Sequence, residues 1–535
     1  MSGPSPEPAP YRSQQVGGHN GFAQLLWAEW TKFRTVRAWK IGIAVSAGMI
    51  LLFGVLIGGG SHTSEQAAPG PGPTKAVVNA VPLGPGGEAV SDNFYFVDQP
   101  VGATASITVR ITSLTELIPT VPSAANASGP DMVPGTEAWT KAGVIIKAST
   151  TQGSAYAAVM VTPDHGVRMQ YDFTHDLAGL QGTVSASSPR WLRLSRSGAT
   201  VTGYDSLDGI HWIEIGATRL PGLPSTSPGG LFVASPHYTK VSTHFGGETG
   251  FGAPTSATAT LDHATVLGGD GGSWTAGFVG DDPGGSPGPS DGSYQVNGGR
   301  YTVTGSGDIA PLVNGPLQQG QPVERSLAGA FAGLIAIIVV AVVFMTAEYR
   351  KGLIRTTLAA SPRRGRVLLA KATVVATVAF VAGTIGAGVT LPLGEHLFKA
   401  NGFFVFPVGT ATEVRIIVGT GLVLAVSAVF ALAVGSLFSR SAGAVTTGIV
   451  LLVLPYVLGT AQVLPTAFAQ WILRITPAAA FAIQQSLPVY HQVTNSYTPA
   501  NGYFPLAPWV GLAVLGVYSA VALGLAVVSL QRRDA

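Results

Sequence analysis

The sequence predicts a two-part chain: an all-α bundle of six membrane spans, and an all-β antiparallel sandwich of jelly-roll type held outside the membrane between spans one and two. Three observations predict it. Only 11% of the 535 residues are charged and 46% are hydrophobic, whereas soluble domains average about a quarter charged. The charge is also unevenly split, with 11 Lys/Arg against 21 Asp/Glu in residues 61–324 and 19 against 6 elsewhere. Six apolar runs reach the length of about 20 residues that a helix needs to cross a bilayer core. The 70 Gly and 37 Pro imply linkers and turn-rich β structure, and the absence of Cys excludes disulfides and thiolate chemistry.

Residues 1–20 read as a disordered N-terminus. Residues 21–38 read as an amphipathic helix in the cytoplasmic interface. Phe22, Leu25, Leu26, Trp30 and Phe33 recur at helical spacing, Glu29, Lys32 and Arg34 take the other side, and Trp27 adds a second indole at headgroup level. Span one occupies 39–60; it starts too late, and lacks the small-residue site, for a cleaved signal peptide. Spans two to six follow at 327–347, 372–393, 415–438, 442–464 and 509–530, within 326–535. Between Leu327 and Phe344 the second carries eleven Leu, Ile, Val or Phe, worth about −3 to −7 kcal/mol of insertion free energy. Gly383, Gly386 and Gly388 let span three approach a neighbour closely, and Pro455 should kink span five. Almost no ionisable residue falls inside a span, which argues against an ion-coupled pump.

Lys and Arg set the orientation. Arg12, Lys32, Arg34, Arg37 and Lys40, the loop after span two, Arg440, and Arg532 with Arg533 all fall on one side of a six-span chain. Both termini are therefore expected in the cytoplasm of a plasma-membrane protein, with residues 61–325 outside. The cytoplasmic loop 348–371 is the most informative stretch. Glu348, Arg350, Lys351, Gly352 and Arg355 precede a break at Ser361–Pro362, and Arg363 and Arg364 restart a basic run. Pro362 disfavours helix at Ser361 and can open a new one, giving a basic knob for a partner.

These residues resemble the permease subunits of type-2 ABC exporters, particularly actinobacterial ones. The resemblance rests on Glu29 through Arg37 (EWTKFRTVR), on Glu348 through Arg355 (EYRKGLIR), and on Ser361-Pro362-Arg363-Arg364 with Lys371. It covers the six-span frame, about half the chain. It implies that loop 348–371 contacts a separate ATPase and that the stretch between spans five and six, 465–508, dips back as short outer helices. Leu353 departs from the Gly-Thr that many members carry, and the insertion of some 260 residues departs further. The chain has no Gly-Lys dipeptide, so it lacks the phosphate-cradling Walker A loop. ATP and Mg would thus sit on the partner, two ATPase copies would serve a homodimer of this chain, and no cofactor or metal is expected on the chain itself.

The outer block opens with a Pro/Gly linker, 61–90. Alternation then marks strands at Ile107–Ile111, Lys141–Lys147, Ala155–Val161, Gly166–Tyr171, Trp191–Leu194, Thr200–Ser206, Ile210–Ile215 and Gly230–Ser235, an antiparallel sandwich over 91–268. A second linker covers 269–292, and a closing hairpin with the return to the membrane covers 293–325. Ala142-Gly143, Trp191-Leu192-Arg193-Leu194 and the run from Tyr204 through Asp208-Gly209 to Trp212 resemble concanavalin-like lectin/glucanase jelly rolls. Asp208-Gly209 reads as a hairpin turn with Trp212 packed beneath. Trp191, Tyr204 and Trp212 are candidates for stacking on cell-wall glycan, although Trp191 and Trp212 read more simply as core. Glu137, Asp164, Asp172, Asp176 and Asp205 are scattered and read as solvated, with no close carboxylate pair for glycoside hydrolysis. His165, His175 and His211 lack metal spacing, and the acidic balance disfavours nucleic acid. No catalytic residue is expected. The function expected is ATP-driven export of an amphiphilic substrate (a lipid, lipid-linked precursor, hydrophobic peptide or drug-like metabolite) through a path bordered by membrane lipids. The alternative is a membrane-anchored glycan-binding sensor or adhesion protein that transports nothing.

Overall fold

The computed structural model describes residues 21–60, 81–120, 131–245, 247–269, 272–280, 292–315, 320–350, 364–438 and 440–532. The expected N-terminus 1–20, most of the linker 61–90, and Lys351, Gly352, Arg355, Ser361, Pro362 and Arg363 of the loop lie outside the described residues. Nine α-helices occur among the described residues: α1 (Phe22–Thr35), α2 (Arg37–Gly60), α3 (Ala330–Arg350), α4 (Arg364–Ala400), α5 (Thr410–Phe438), α6 (Ser441–Leu452), α7 (Leu454–Thr460), α8 (Thr466–Ile475) and α9 (Pro508–Arg532). Six helical segments are long and apolar enough to cross a membrane, with α3 extended by the 3-10 turn Val323–Gly329 and with α6 and α7 counting as one.

Local sequence explains the breaks. Pro455 cannot continue the ladder of α6, so the helix ends at Leu452 and α7 restarts with Pro455 in its first turn. Pro477 likewise ends α8, and the following 3-10 helix Pro477–Gln484 is bent from it by 101°. All eight residues of that 3-10 helix are buried, as expected of a segment driven into the bundle. The small residues of span three act as predicted on the central pair. A Cβ on Gly383 would come within 2.9 Å of Gly421 Cα, so α4 and α5 touch through their backbones there.

Between α2 and α3 in chain order the structure is all β. The expected antiparallel β part is present, but its main strands form one connected fifteen-stranded sheet rather than the two separate sheets of a sandwich. The cause is the strand Val90–Pro119, 30 residues long. Its first part pairs with Ser227–Ala234; its later part pairs with Ser256–Gly269 on one edge and Arg190–Ser197 on the other. Register shifts after Val101, Thr108 and Ile111 bend it, as bulges do. Ile107, Val109, Ile111, Val144, Val159, Leu192, Leu194 and Val233 belong to one core cluster of the β part, all fully buried.

Strand limits match the alternation closely at Lys141–Lys147 and Thr200–Ser206, while Ile210–Ile215 is displaced to Ile213–Arg219. The hairpin Ser293–Asn297 to Arg300–Gly305 forms as expected. The two ends of the β part are drawn together elsewhere, by pairing of Val90–Asn93 with Asp308–Pro311.

Candidate functional site

Four charged side chains from three helices meet at the end of the bundle where loop 351–363 begins and ends. Lys371 Nζ on α4 donates to Glu29 Oε2 on α1 and to Glu348 Oε1 on α3, each at 2.6 Å. Lys32 Nζ donates to Glu29 Oε1 at 2.7 Å and Glu348 Oε1 at 3.1 Å. Lys371 and Glu29 are essentially inaccessible, and only Lys32 reaches solvent. Signs alternate around the ring and sum to zero, which is how buried charge is tolerated. For Lys32, burial alone would lower the pKa, but the Glu29 hydrogen bond and the charges of Glu29 and Glu348 outweigh it and hold the ammonium above its usual range.

An aromatic shelf supports the ring. Lys371 Nζ sits 4.8 Å from the centre of Phe344, a cation–π distance. Phe344 packs edge-on against Phe33 at 5.6 Å and Trp39 at 4.8 Å. Helix α1 therefore buries Glu29 and Phe33 against the bundle, correcting the assignment of Glu29 to a solvated side, and exposes Trp27, Trp30 and Arg34. The arrangement is a closed set of ion pairs. What it can do is mechanical: Glu348 lies just before loop 351–363 and Lys371 just after it, and both grip α1. Arg364 Nη1 adds a bond to the Leu530 carbonyl of α9, 2.8 Å. Sequence reasoning placed Lys32, Glu348 and Lys371 but not their meeting. The local signal was a Glu and a Lys three apart, flanked by the aromatic residues Trp30 and Phe33.

A second cluster lies on the outer face of the β part. Side-chain parity decides it: Leu192 and Leu194 point inward, so Trp191 and Arg193 point outward. Trp191 and Trp212 are half-buried on that face, correcting the expectation that they belong to the core. Arg193 stacks 3.8 Å over Trp212, and Arg110 lies 5.6 Å over Trp191 while pairing in bidentate fashion with Asp262, both bonds 2.7 Å. Tyr204 stands opposite Arg193 on the next strand. The turn at Asp208-Gly209 forms with Gly209 at φ +77°, but the ring against it is Trp191, and Trp212 Nε1 instead donates to the Gly209 carbonyl at 3.1 Å. Asp208, which accepts bonds from the His211 ring and from two backbone N–H groups, has its carboxyl held well below the usual range. Asp205 departs from its solvated assignment: it is fully buried and accepts the Leu180 N–H at 2.6 Å. Its pKa is raised by that burial.

An apolar cleft of about 240 Å³ opens between α4, α5 and α9, lined by Ala376, Val426, Val429, Ser519, Ala520 and Leu523 among others. Among the described residues no group of three or more His, Cys, Asp or Glu is placed to hold a metal.

The chain matches no known family and no curated protein. Among solved structures it is similar to a functionally unknown protein from Saccharomyces cerevisiae, at 12% identity over 33% of this chain and 76% of that one, TM-score 0.21. It is also similar to scytalido-glutamic peptidase, at 8% identity over 42% of this chain and all of that one, TM-score 0.24. A third is the GH43 protein BlXynB from Bacillus licheniformis, at 17% identity over 24% of each chain, TM-score 0.17. At these TM-scores the likenesses assign the chain neither a fold family nor an activity.

Proposed function

We propose that this chain is the permease subunit of an ATP-driven exporter of the type-2 ABC class, set in the plasma membrane with both termini cytoplasmic and residues 61–325 outside. The single observation that carries the reading is the ring of Glu29, Lys32, Glu348 and Lys371, which ties α1 to both ends of the basic loop 351–363. A partner that pushes on that loop would move α1, α3 and α4 together, as an energy-coupling element must. ATP and Mg belong to that partner, an ABC ATPase in two copies, and the permease works as a homodimer among membrane lipids. The uncharged cleft between α4, α5 and α9 fits an alkyl chain better than a hydrated ion, so the cargo class is amphiphilic.

Affinity purification from the native membrane, followed by mass spectrometry, tests this. A stoichiometric ATPase subunit is expected, and charge reversal at Arg355 and Arg363 should release it. An intact, inserted chain that reproducibly lacks an ATPase would overturn the reading. The half-buried, outward-facing set of Trp191, Arg193, Tyr204 and Trp212 favours a second reading, glycan binding without transport, in which purified chain is retained on cell-wall glycan and the variant Trp212→Ala is not.

A further inference from the structure

The β part contains a second buried ion pair, and among the described ion pairs it has both side chains wholly inaccessible. Lys147 and Asp92 have wholly inaccessible side chains, with Nζ 2.7 Å from Oδ2. Oδ2 is fixed by the Gly153 N–H at 2.8 Å, while Oδ1 is buried with no hydrogen-bond partner. The rings of Phe94, Tyr156 and Phe173 surround Nζ at 5.7, 5.4 and 5.7 Å. A low-dielectric box of this kind penalises both charges.

We propose that Lys147 and Asp92 become joined by an intramolecular isopeptide bond between Nζ and Cγ. Burial drives the pair toward its neutral form, raising the Asp92 carboxyl and lowering the Lys147 ammonium. One proton passes from nitrogen to carboxylate, leaving a free amine beside a carboxylic acid. The amine lone pair attacks Cγ, the Cγ–O bond to the hydroxyl breaks, and that hydroxyl leaves with a proton from nitrogen as one water. The product is a secondary amide, and no oxidant or further reactant takes part. The proton passes directly between nitrogen and the carboxyl oxygens, since Nζ already lies 2.7 Å from Oδ2. Held contact supplies the proximity term, which in well-oriented intramolecular reactions reaches about 7–11 kcal/mol, and the dry box keeps water from reversing the step.

The neighbouring pair Lys141–Asp308 sharpens the argument. Lys141 is equally buried, but Asp308 retains 19% exposure, its Oδ1 also accepts the Ile309 N–H, and Lys141 also bonds the Ile309 carbonyl. The partly exposed, doubly engaged Asp308 carboxylate therefore lacks the sealed setting that Asp92 has. A bond from Asp92 to Lys147 would cross-link the strands Val90–Pro119 and Lys141–Lys147 in a chain without cysteine, close to the point where the β part pairs its two ends.

Full-length chain purified from its membrane should weigh one water less than its sequence, and tandem mass spectrometry should recover residues 92 and 147 in one branched peptide. Asp92→Ala and Lys147→Arg should each restore the full mass. Recovery of residues 92 and 147 in separate unmodified peptides from the wild-type chain would overturn the proposal, as would a cross-link at 141–308 in its place. The wild-type mass decides the matter even where a variant fails to fold.

Discussion

Lys371 is the hinge of the charge ring, and its removal is the sharpest test at the level of single residues. Lys371→Met leaves Glu29 and Glu348 facing each other with only Lys32 to offset them. Breaking one partner from a buried pair costs about 3–5 kcal/mol, so the thermal transition of the detergent-solubilised chain should fall steeply. Adding Glu29→Gln should recover part of the loss, because coupled neighbours are non-additive; full additivity of the two changes would show that the ring does not act as a unit. Glu137 gives a pH-dependent counterpart outside the spans. Burial, with the charges of Glu116 and Asp164, pushes its pKa up to about 7. The folded chain therefore holds a proton that the unfolded chain has released between about pH 4.5 and 7, and stability falls as pH rises across that window. Glu137→Gln, which cannot ionise, should remove that slope from melting curves taken between pH 5 and pH 8.

Pairs of elements bring the glycine positions into play. A Cβ on Gly421 would meet Thr384 Oγ1 at 2.2 Å and the Phe380 carbonyl at 2.8 Å, so Gly421→Val must part α4 from α5. Overpacking typically costs about 1–3 kcal/mol, and Gly388→Ala, whose nearest neighbour is a side-chain carbon at 3.7 Å, should cost almost nothing. Equal melting temperatures for the two variants would mean that the helices do not meet as described. At this scale the sequence was highly legible. Apolar run length located the six long helices, although α4 runs seven or eight residues past each expected end of span three; Pro455 located one helix break, and alternation located many of the strands, since each signal is local. The pairings were not legible. Glu29 and Lys371 lie 342 residues apart and Asp92 and Lys147 lie 55 apart, and nothing in a strand's own pattern says which strand it will face. The outward placement of Trp191 ran against residue type, which favoured the core; the parity of Leu192 and Leu194 overrode it.

At the scale of the whole molecule, a set of polar contacts links the β part to the helical bundle. Gln492 Nε2 donates to the Phe173 carbonyl at 3.1 Å, and Phe173 and Asp172 both adopt positive φ to present it. Asn314 links to Asn495, Asn501 and Tyr503. Glu248, on the hairpin formed by Tyr238–His244 and Gly247–Ala253, accepts from Ser496 Oγ and Asn501 Nδ2 at 3.2 Å each. All of these partners lie in the stretch between the 3-10 helix Pro477–Gln484 and α9, so a shift of α9 or of that 3-10 helix would reach the β part through a few hydrogen bonds. Bonds to a charged acceptor contribute about 1.5–3 kcal/mol, enough to set how often the hairpin lifts away. Glu248→Ala should therefore raise amide exchange in Tyr238–Ala253 by about tenfold or more. Exchange in the core around Leu192 and Leu194, which depends on apolar packing, should stay unchanged. Uniform acceleration across the β part would mean that the hairpin and the main sheet open as one unit, and no change at all would mean that Glu248 does not hold the two halves together.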